Sequence, residues 1–304
     1  MDVIGRKDTY MNLKVTIITP SYNQGEYLEE TIQSVLNQTY SNIEYIVIDG
    51  GSTDNSVDII RKYEERITYW CSEKDNGQAD AINKGLKLAT GDLVCWINSD
   101  DILYPNFTEN FVNHFVAHPN VDFLYGDVEQ GVEMQHATIR RGEAIDYPTM
   151  LRTLRVPMPQ QATMWRKEVM DKIGYLDPQW HVLLDREYFM RIAQHCVIEY
   201  LPGVVAFFRN HENAKSIAEW HKWMPELEKY YTTLFEDSKF PYQHLKNESM
   251  ASMYWECYRI AHTCNKSKEQ KYYCHRMCSF APLWGYKNLF VLWLVQFKHR
   301  IIKK

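Results

Sequence analysis

The stretch Leu93-Val94-Cys95-Trp96-Ile97-Asn98-Ser99-Asp100-Asp101 joins an apolar run to a cluster of polar side chains. The apolar run predicts a buried strand, and the polar residues then lie at the carboxyl end of that strand. Adjacent carboxylates repel each other unless a cation or hydrogen-bond donors satisfy them. Carboxylate oxygens favour hard cations such as Mg²⁺ or Mn²⁺. The same residues also fit an ordinary turn, in which one Asp caps a helix that begins near Pro105.

Two earlier apolar runs also have the composition of strands and end in polar turns. Residues 14–19 precede Pro20-Ser21-Tyr22-Asn23, and residues 44–49 precede Gly50-Gly51-Ser52. A further strand is predicted at 67–70, and helical periodicity separates the strands at 28–36, 57–63 and 79–89. This alternation predicts a mostly parallel α/β sheet of Rossmann type with helices on both faces. Because ligands bind outside the carboxyl ends of such strands, the three polar clusters are expected to form one site.

The remaining sequence changes character near residue 215. Before that point we predict strands at 121–125, 162–165, 197–200 and 204–208, with helices at 166–172 and 186–195. After it the sequence is rich in Trp and Tyr, and its pattern is helical throughout. We therefore predict an α/β domain over residues 1–215 and a helical C-terminal region over residues 216–304.

Composition narrows the class of protein. A chain of 304 residues that is 45% hydrophobic can bury a substantial core in one large or two smaller domains. Its seven cysteines are an odd number and thinly spread, which favours reduced thiols over a disulfide framework. The first residues do not have the charged start, apolar middle and cleavage site of a signal peptide. We expect a cytoplasmic setting.

Charge is distributed unevenly along the chain. The net charge is −5, but residues 257–304 contain ten Lys or Arg and one acidic residue. The acidic remainder argues against nucleic acid as a partner, because nucleic-acid binding depends on phosphate neutralisation. The apolar run at 289–295 is far shorter than the ~20 residues of a membrane span. The basic amphipathic tail, residues 283–304, therefore predicts either peripheral contact with a membrane or a helix packed on the body of the protein.

The first two polar clusters have the chemistry of a nucleotide pocket. Thr19-Pro20-Ser21-Tyr22-Asn23 offers a rigid turn, an aromatic face and an amide, which suit a planar base. Asp49 stands beside two glycines that let a ligand approach the backbone. An ordinary turn explains the first cluster equally well, and a helix cap at Ser52 or Asp54 explains the second. The Gly-x-Gly-x-x-Gly spacing of dinucleotide-binding proteins is absent from both.

Taken together, these motifs resemble the family 2 glycosyltransferases, which are inverting enzymes with the GT-A fold. The matching text is Val15-Thr16-Ile17-Ile18-Thr19-Pro20-Ser21-Tyr22-Asn23, residues 32–40, Val47-Ile48-Asp49-Gly50-Gly51-Ser52-Thr53-Asp54, residues 72–85, Ala89-Thr90-Gly91-Asp92 and Asn98-Ser99-Asp100-Asp101. These six segments occur in this order over about 90 residues, so a chance match is remote, and weaker similarity continues to about residue 217. The subgroup that the chain resembles contains bacterial polysaccharide and O-antigen transferases.

The resemblance implies a nucleotide-sugar donor, a UDP-sugar by default, and a divalent cation, Mn²⁺ or Mg²⁺. It places the nucleotide against Thr19, Pro20, Tyr22, Asn23, Asp49, Asp75, Lys84 and Asp100. Asp101 then holds the cation that bridges the diphosphate. Many relatives carry a second Asp at the position of Gly50, which makes the choice of base less secure than the choice of reaction.

Two later segments are similar to the acceptor and catalytic parts of the family. Residues 159–165 match a stretch near the acceptor cleft, which assigns Gln160 and Gln161 to the acceptor side. Residues 184–192 match the acidic catalytic motif, in which Asp185 falls on the general base that the attacking hydroxyl requires. Leu184 replaces the acidic residue often found before it. Asp185 as the cap of the following helix, or Glu187 as the base, is the alternative.

The segment Arg209-Asn210-His211-Glu212-Asn213-Ala214-Lys215-Ser216 resembles the closing Arg-x-His…Ser motif of the family. The resemblance implies that His211 contacts the metal and Lys215 the phosphate. A structural hydrogen bond for His211 and a solvated Lys215 are the alternatives.

The sequence therefore predicts an inverting glycosyltransferase that acts on a glycan or lipid-linked acceptor at the inner face of the cell membrane. A non-catalytic nucleotide-sugar-binding or scaffolding subunit is the alternative, although retention of Asp100, Asp101 and Asp185 argues against it. A nucleotidyltransferase is disfavoured because no Gly-rich, basic phosphate loop occurs early in the chain.

Overall fold

A computed structural model describes residues 12–283 of the chain, except for the side chains of residues 216, 217 and 220. The chain divides into two compact units. The bounds of the first are Met1–Ala144 and Pro157–Ile217, and those of the second are Ile145–Val156 and Ala218–Lys304. The segment Ile145–Val156 thus belongs to the second unit, although it lies within the range 1–215 assigned to the α/β domain.

One sheet organises the first unit. Its nine strands in the described residues are β1 (Val15–Ser21), β2 (Ile43–Asp49), β3 (Tyr69–Ser72), β4 (Leu93–Trp96), β5 (Ile102–Leu103), β6 (Phe123–Gly131), β7 (Thr138–Arg140), β8 (Thr163–Arg166) and β9 (Ile198–Arg209). The order is β3-β2-β1-β4-β8-β6-β9-β5, with β7 paired to β6. Strands β3, β2, β1 and β4 are parallel neighbours, and β8 runs antiparallel to β4 and β6. This confirms the predicted α/β class and its mostly parallel sheet.

The helices predicted at 28–36, 57–63, 79–89 and 186–195 are present to within two residues, and the one predicted at 166–172 begins at Val169. Eleven α-helices occur in the described residues. They are α1 (Leu28–Leu36), α2 (Ser56–Lys62), α3 (Gln78–Leu88), α4 (Phe107–Ala117), α5 (Tyr147–Thr153), α6 (Val169–Ile173), α7 (Leu184–His195), α8 (Lys215–Ala218), α9 (Trp223–Glu236), α10 (Lys246–Thr263) and α11 (Ser267–Phe280). The C-terminal region is helical, as predicted. Within residues 12–283, no helix combines the length and apolar character that a membrane span requires. The predicted amphipathic tail, apart from Leu283, lies outside the described residues.

The structure corrects the predicted strands at 197–200 and 204–208. They form the single strand β9, which pairs in parallel with β6 and changes register opposite Tyr125–Val128. Gly203 lies in this irregular part with a φ of 145°, a backbone conformation that favours glycine. The Pro202-Gly203 pair, between the two predicted strands, therefore lies in a bulge of one continuous strand.

Buried aromatic rings form the core beneath the end of β4. The Trp96 ring lies 5.5 Å from that of Trp165 and 5.7 Å from that of Phe189, centroid to centroid. Phe123 lies 5.3 Å from Phe189, and all four side chains are almost fully buried. The cluster joins β4, β8, β6 and α7, so it fixes the strand end from which Asn98–Asp101 emerge.

We expect the substitution Trp96→Ala to lower the free energy of unfolding by roughly 3–5 kcal/mol, because the neighbouring rings cannot close the resulting cavity. Urea-induced unfolding followed by circular dichroism measures this change. Leu88→Ala is the control, since Leu88 is 43% exposed and a surface change costs at most about 0.5 kcal/mol. Equal stability of the two variants would contradict a structural role for the cluster.

Candidate functional site

The predicted meeting of the polar strand ends is visible in the register of the sheet. Ser21, the last residue of β1, pairs with Asp49 of β2, which in turn pairs with Ser72 of β3. The loops after β1 and β2 are joined by hydrogen bonds. The backbone N of Asn23 donates to Ser52 Oγ at 2.8 Å, and the backbone N of Thr53 donates to Asn23 Oδ1 at 2.8 Å. One edge of the sheet therefore carries both loops as a connected surface.

Asp49 is fully buried and organises the loop that follows it. Its Oδ2 accepts hydrogen bonds from the backbone N of Gly51 at 3.1 Å and of Ser52 at 2.9 Å, and from Ser72 Oγ at 2.6 Å. Its Oδ1 accepts from Ser52 Oγ at 2.5 Å. The carboxylate predicted to lie near base and ribose is thus satisfied by its own loop.

The residues assigned to the base pocket differ in accessibility. The Thr19 side chain is buried and its Oγ1 accepts from the Tyr45 hydroxyl at 3.1 Å, and Pro20 is buried beside it. Tyr22 is 60% exposed. Asn23 has a φ of 51°, which asparagine tolerates better than most residues. Tyr22 is the member of this set whose ring is open to a ligand.

Asp75 fills the space beside Gly50. A Cβ at Gly50 would lie 2.6 Å from Asp75 Oδ2, closer than van der Waals contact allows. Asp75 Oδ1 accepts from the backbone N of Gly77 at 2.9 Å. Glycine at position 50 therefore leaves the room that Asp75 occupies.

Lys84, also assigned to the nucleotide, donates to Glu73 Oε1 at 3.0 Å, and this bond raises the pKa of Lys84.

Asp101 is a buried carboxylate at the centre of the site. Its Oδ1 accepts from the backbone N of Arg209 at 3.0 Å, and its Oδ2 accepts from Gln161 Nε2 at 2.9 Å and Asn98 Nδ2 at 3.3 Å. Burial, together with the adjacent charge of Asp100, raises its pKa well above the usual range. A bound cation would offset both effects.

Asp100 and His211 form the second part of this centre. Asp100 Oδ2 lies 3.0 Å from His211 Nε2, and Arg209 Nε donates to the backbone O of Asp100 at 3.0 Å. The Tyr27 ring lies 4.7 Å from the His211 ring, centroid to centroid. His211 Nδ1 is buried and has no hydrogen-bond partner among residues 12–283. The resemblance assigned His211 to the metal beside Asp101, whereas in this structure its ring contacts Asp100.

A series of hydrogen bonds between side-chain amides connects this centre to Lys215. Lys215 Nζ donates to Gln78 Oε1 at 3.1 Å, and Gln78 Nε2 donates to Asn98 Oδ1 at 2.9 Å. Asn98 Nδ2 also donates to Gln160 Oε1 at 3.0 Å. Gln160 is 6% and Gln161 5% exposed, so the two residues assigned to the acceptor side orient Asn98 and Asp101. Gln78 and Asn98 lie within the family motifs, but the sequence alone does not indicate a role for either.

Asp185 lies on helix α7 and is not its N-cap, because the helix begins at Leu184. Its carboxylate is partly buried, and Oδ1 accepts from the backbone N of Arg186 at 2.7 Å. Burial raises the pKa of Asp185, and the nearby charges of Arg140 and Arg186 oppose that shift. Arg140 was not identified from the sequence, because the short strand β7 that carries it has exposed side chains and no apolar pattern.

The side chains at the end of β4 are of the types that hold a hard divalent cation. Two neighbouring carboxylates, one of them buried with a raised pKa, supply the negative charge. His211 adds an imidazole whose Nε2 lies 3.0 Å from Asp100 Oδ2. Carboxylate oxygens with one imidazole suit Mg²⁺ or Mn²⁺.

The chain matches a known family of proteins. The sequence model described as "Glycosyl transferase family 2" matches residues 16–175, just over half of the 304-residue chain. An uncharacterized glycosyltransferase of Nostoc sp. is 28% identical over 221 residues, which cover 66% of this chain and 65% of the relative. In three curated relatives from Rickettsia the chain spans 21% to 37% of their length.

Two solved structures share the fold. TarS from S. aureus, residues 1–349 in complex with UDP-GlcNAc, superposes with a TM-score of 0.58 at 16% identity, covering 88% of this chain and 91% of TarS. The mannosyltransferase PcManGT from Pyrobaculum calidifontis, in complex with GDP-Man and Mn²⁺, gives a TM-score of 0.60 at 16% identity, covering 92% and 81%. At these identities the likeness concerns the fold.

Proposed function

Since this chain belongs to glycosyl transferase family 2, we propose that it is an inverting enzyme that moves a sugar from a UDP-sugar to a glycan or lipid-linked acceptor. The observation that carries this proposal is the buried Asp101, whose pKa is raised by burial and by the adjacent Asp100, an effect that a bound cation would offset. This centre follows strand β4, at the sheet edge where such folds bind their ligands.

In the proposed complex, Asp101 and His211 hold Mn²⁺ or Mg²⁺. The cation supplies electrostatic stabilisation of the charge that develops on the departing diphosphate. Asn98 and Gln161 keep the Asp101 carboxylate in place. Lys215, whose Nζ donates a hydrogen bond to Gln78 Oε1 at 3.1 Å, contributes a positive charge toward the phosphates.

The nucleotide would lie across the ends of β1, β2 and β4. We propose that the Tyr22 ring stacks on the base and that Asp75 and Asp100 form hydrogen bonds with the base or the ribose. Thr19, Pro20, Asn23 and Asp49 act by shaping the two loops of the pocket, since their polar atoms are engaged there or buried. We assign a contact with the nucleotide to Lys84, whose Nζ lies 3.0 Å from Glu73 Oε1.

Asp185 is the proposed general base. Its carboxylate takes the proton of an acceptor hydroxyl while the hydroxyl oxygen forms a bond to the anomeric carbon. The bond from that carbon to the diphosphate breaks on the opposite face, which inverts the configuration. A raised pKa makes Asp185 a stronger base than an ordinary carboxylate, and the charges of Arg140 and Arg186 limit that rise.

A panel of nucleotide-sugars tests this function. With Mn²⁺ or Mg²⁺ we expect a UDP-sugar to raise the thermal stability and to be slowly hydrolysed, with both effects abolished by EDTA. At 100 times Kd a ligand stabilises the folded state by about 2.7 kcal/mol. GDP-sugars serve as the matched control for the base. Stabilisation without any turnover would support the non-catalytic alternative, and the absence of both effects would contradict the proposal.

The setting of the reaction is also a proposal. We place the enzyme on the cytoplasmic side, in peripheral contact with the membrane, in polysaccharide assembly. The support is the sequence of the basic amphipathic tail, with four Lys or Arg among residues 298–304.

A further inference from the structure

We propose that His114, His118 and Glu199 bind a divalent transition-metal ion at a second site, distinct from the centre around Asp101. His114 lies in the last turn of α4, His118 directly follows that helix, and Glu199 is the second residue of β9. One ligand atom from each residue lies within 4.8 Å of the other two. Arg209, which contacts Asp101, lies ten residues further along β9, roughly 30 Å of extended strand away.

The two histidines are spaced to present their rings on one face of the helix. Residues four apart lie one above the other on a helix, and the ring centroids of His114 and His118 are 4.0 Å apart with an angle of 21° between the rings. His118 Nδ1 lies 3.1 Å from the backbone O of His114. Because a carbonyl oxygen only accepts, Nδ1 carries the proton and Nε2 is left as the metal ligand.

His114 and Glu199 already have the separation of two ligands on one ion. His114 Nε2 lies 3.2 Å from Glu199 Oε1. Metal–ligand bonds of about 2.0–2.1 Å in a tetrahedral site place the ligand atoms ~3.3 Å apart. His114 Nε2 is buried and has no hydrogen bond of acceptable geometry in the part of the chain that the structure describes. The ligand atom of the exposed His118 lies within 4.8 Å of the other two and must approach them by up to about 1.5 Å in a tetrahedral site.

The ligand chemistry distinguishes this site from the centre around Asp101. Two imidazoles and one carboxylate favour Zn²⁺, Co²⁺, Ni²⁺ or Cu²⁺ over Mg²⁺. His114 also lines a surface pocket of about 470 Å³ between α4 and β9, together with Asn106, Asn110 and Asn113. The pocket gives an ion and its remaining water ligands access to the site. A bound ion would tie the end of α4 to the start of β9, so we expect it to stabilise the first unit.

Titration of the full-length, metal-free protein with Zn²⁺ or Co²⁺ alone tests the proposal. We expect calorimetry to detect binding that persists in Asp101→Asn, together with Co²⁺ absorption bands of a tetrahedral centre and a rise in thermal stability. His118→Ala and Glu199→Gln should each weaken binding by about 100-fold, because each removes one of three protein ligands; both residues are accessible, so the fold is expected to persist. Catalytic activity is not part of the readout.

Two matched variants locate the bound ion. His136→Ala is the control for a histidine near a carboxylate, since His136 Nδ1 lies 3.7 Å from Glu133 on an exposed surface. This variant should bind the metal ion as tightly as the unmodified protein does. Asp101→Asn should also bind normally. Three results would overturn the proposal. They are loss of metal binding in Asp101→Asn, unchanged binding in both His118→Ala and Glu199→Gln, and Co²⁺–thiolate absorption bands, which would indicate cysteine ligands.

Discussion

Replacing Asp101 with Asn is expected to lower turnover by about 1,000-fold, the upper range for loss of one electrostatic stabiliser in an active site. Asn keeps the size of the side chain but removes the charge that the proposed cation requires. Steady-state assays with the donor identified by the nucleotide-sugar panel measure this loss. The stabilisation by Mn²⁺ plus nucleotide should disappear with it, because binding then no longer favours the folded state.

The structure explains why Asp101, among many acidic residues, is singled out. It is the buried member of a pair of neighbouring carboxylates, and three donors, the backbone N of Arg209, Gln161 and Asn98, fix its position. A carboxylate held there with a raised pKa is unfavourable for the fold without a counter-charge. Such an arrangement is expected where function rather than stability has selected the residue.

Asp58→Asn is the matched control. Asp58 lies on α2 with its side chain 81% accessible, so the same chemical change there should leave turnover and metal-dependent stability unaltered. If Asp101→Asn retains both properties, the cation site at the end of β4 is wrong. If it loses turnover but keeps metal-dependent stabilisation, the cation is held by other residues.

The sequence identified the first half of the sheet because its strands are local, β-branched runs. It missed β5 and β7, which are two and three residues long and exist only through their partners β9 and β6. It also ended β1 two residues early, at Thr19. Pro20 lies inside β1 at no cost to the ladder with β4, because that ladder ends at the pair Ile18–Trp96.

For the site, sequence patterns located side chains at strand ends but not their contacts. Gln161 reaches Asp101 from 60 residues further along the chain, a distance over which periodicity carries no information. Thr19 and Asp49 were assigned to the ligand, yet the extension of β1 and the tight loop after β2 turn their polar atoms toward the protein. Residue type indicated the chemistry, and tertiary structure decided which atoms remained available.

The second large effect is expected from Asp185→Asn. Loss of a general base typically costs 100- to 10,000-fold, and we expect about 1,000-fold in kcat. Donor affinity should be unchanged, since Asp185 acts on the acceptor. Titration calorimetry with UDP and Mn²⁺ measures that affinity, and single-turnover assays measure the chemical step. Asp171→Asn, on the exposed face of the neighbouring helix α6, is the control.

The contacts of Glu187, the alternative base, differ from those of Asp185. Both of its oxygens accept from the Arg191 guanidinium, at 2.6 and 2.9 Å, and its side chain is almost fully buried. A carboxylate in such a bidentate pair is held away from proton transfer. Glu187→Gln should therefore reduce stability more than kcat. The reverse pattern, a large loss of kcat in Glu187→Gln and none in Asp185→Asn, would transfer the role to Glu187.

The pH dependence provides an independent measure of the same assignment. A base must be deprotonated to act, so activity is lost as pH falls through its pKa. Because burial raises the pKa of Asp185 above its ordinary value of 3.8, the acidic limb of kcat/KM should lie at higher pH than a solvent-exposed aspartate would give. The residual activity of Asp185→Asn should not show this limb, since Asn does not titrate. An acidic limb that persists unchanged in that variant would mean that another group, such as Asp101 with its raised pKa, sets the limb in place of Asp185.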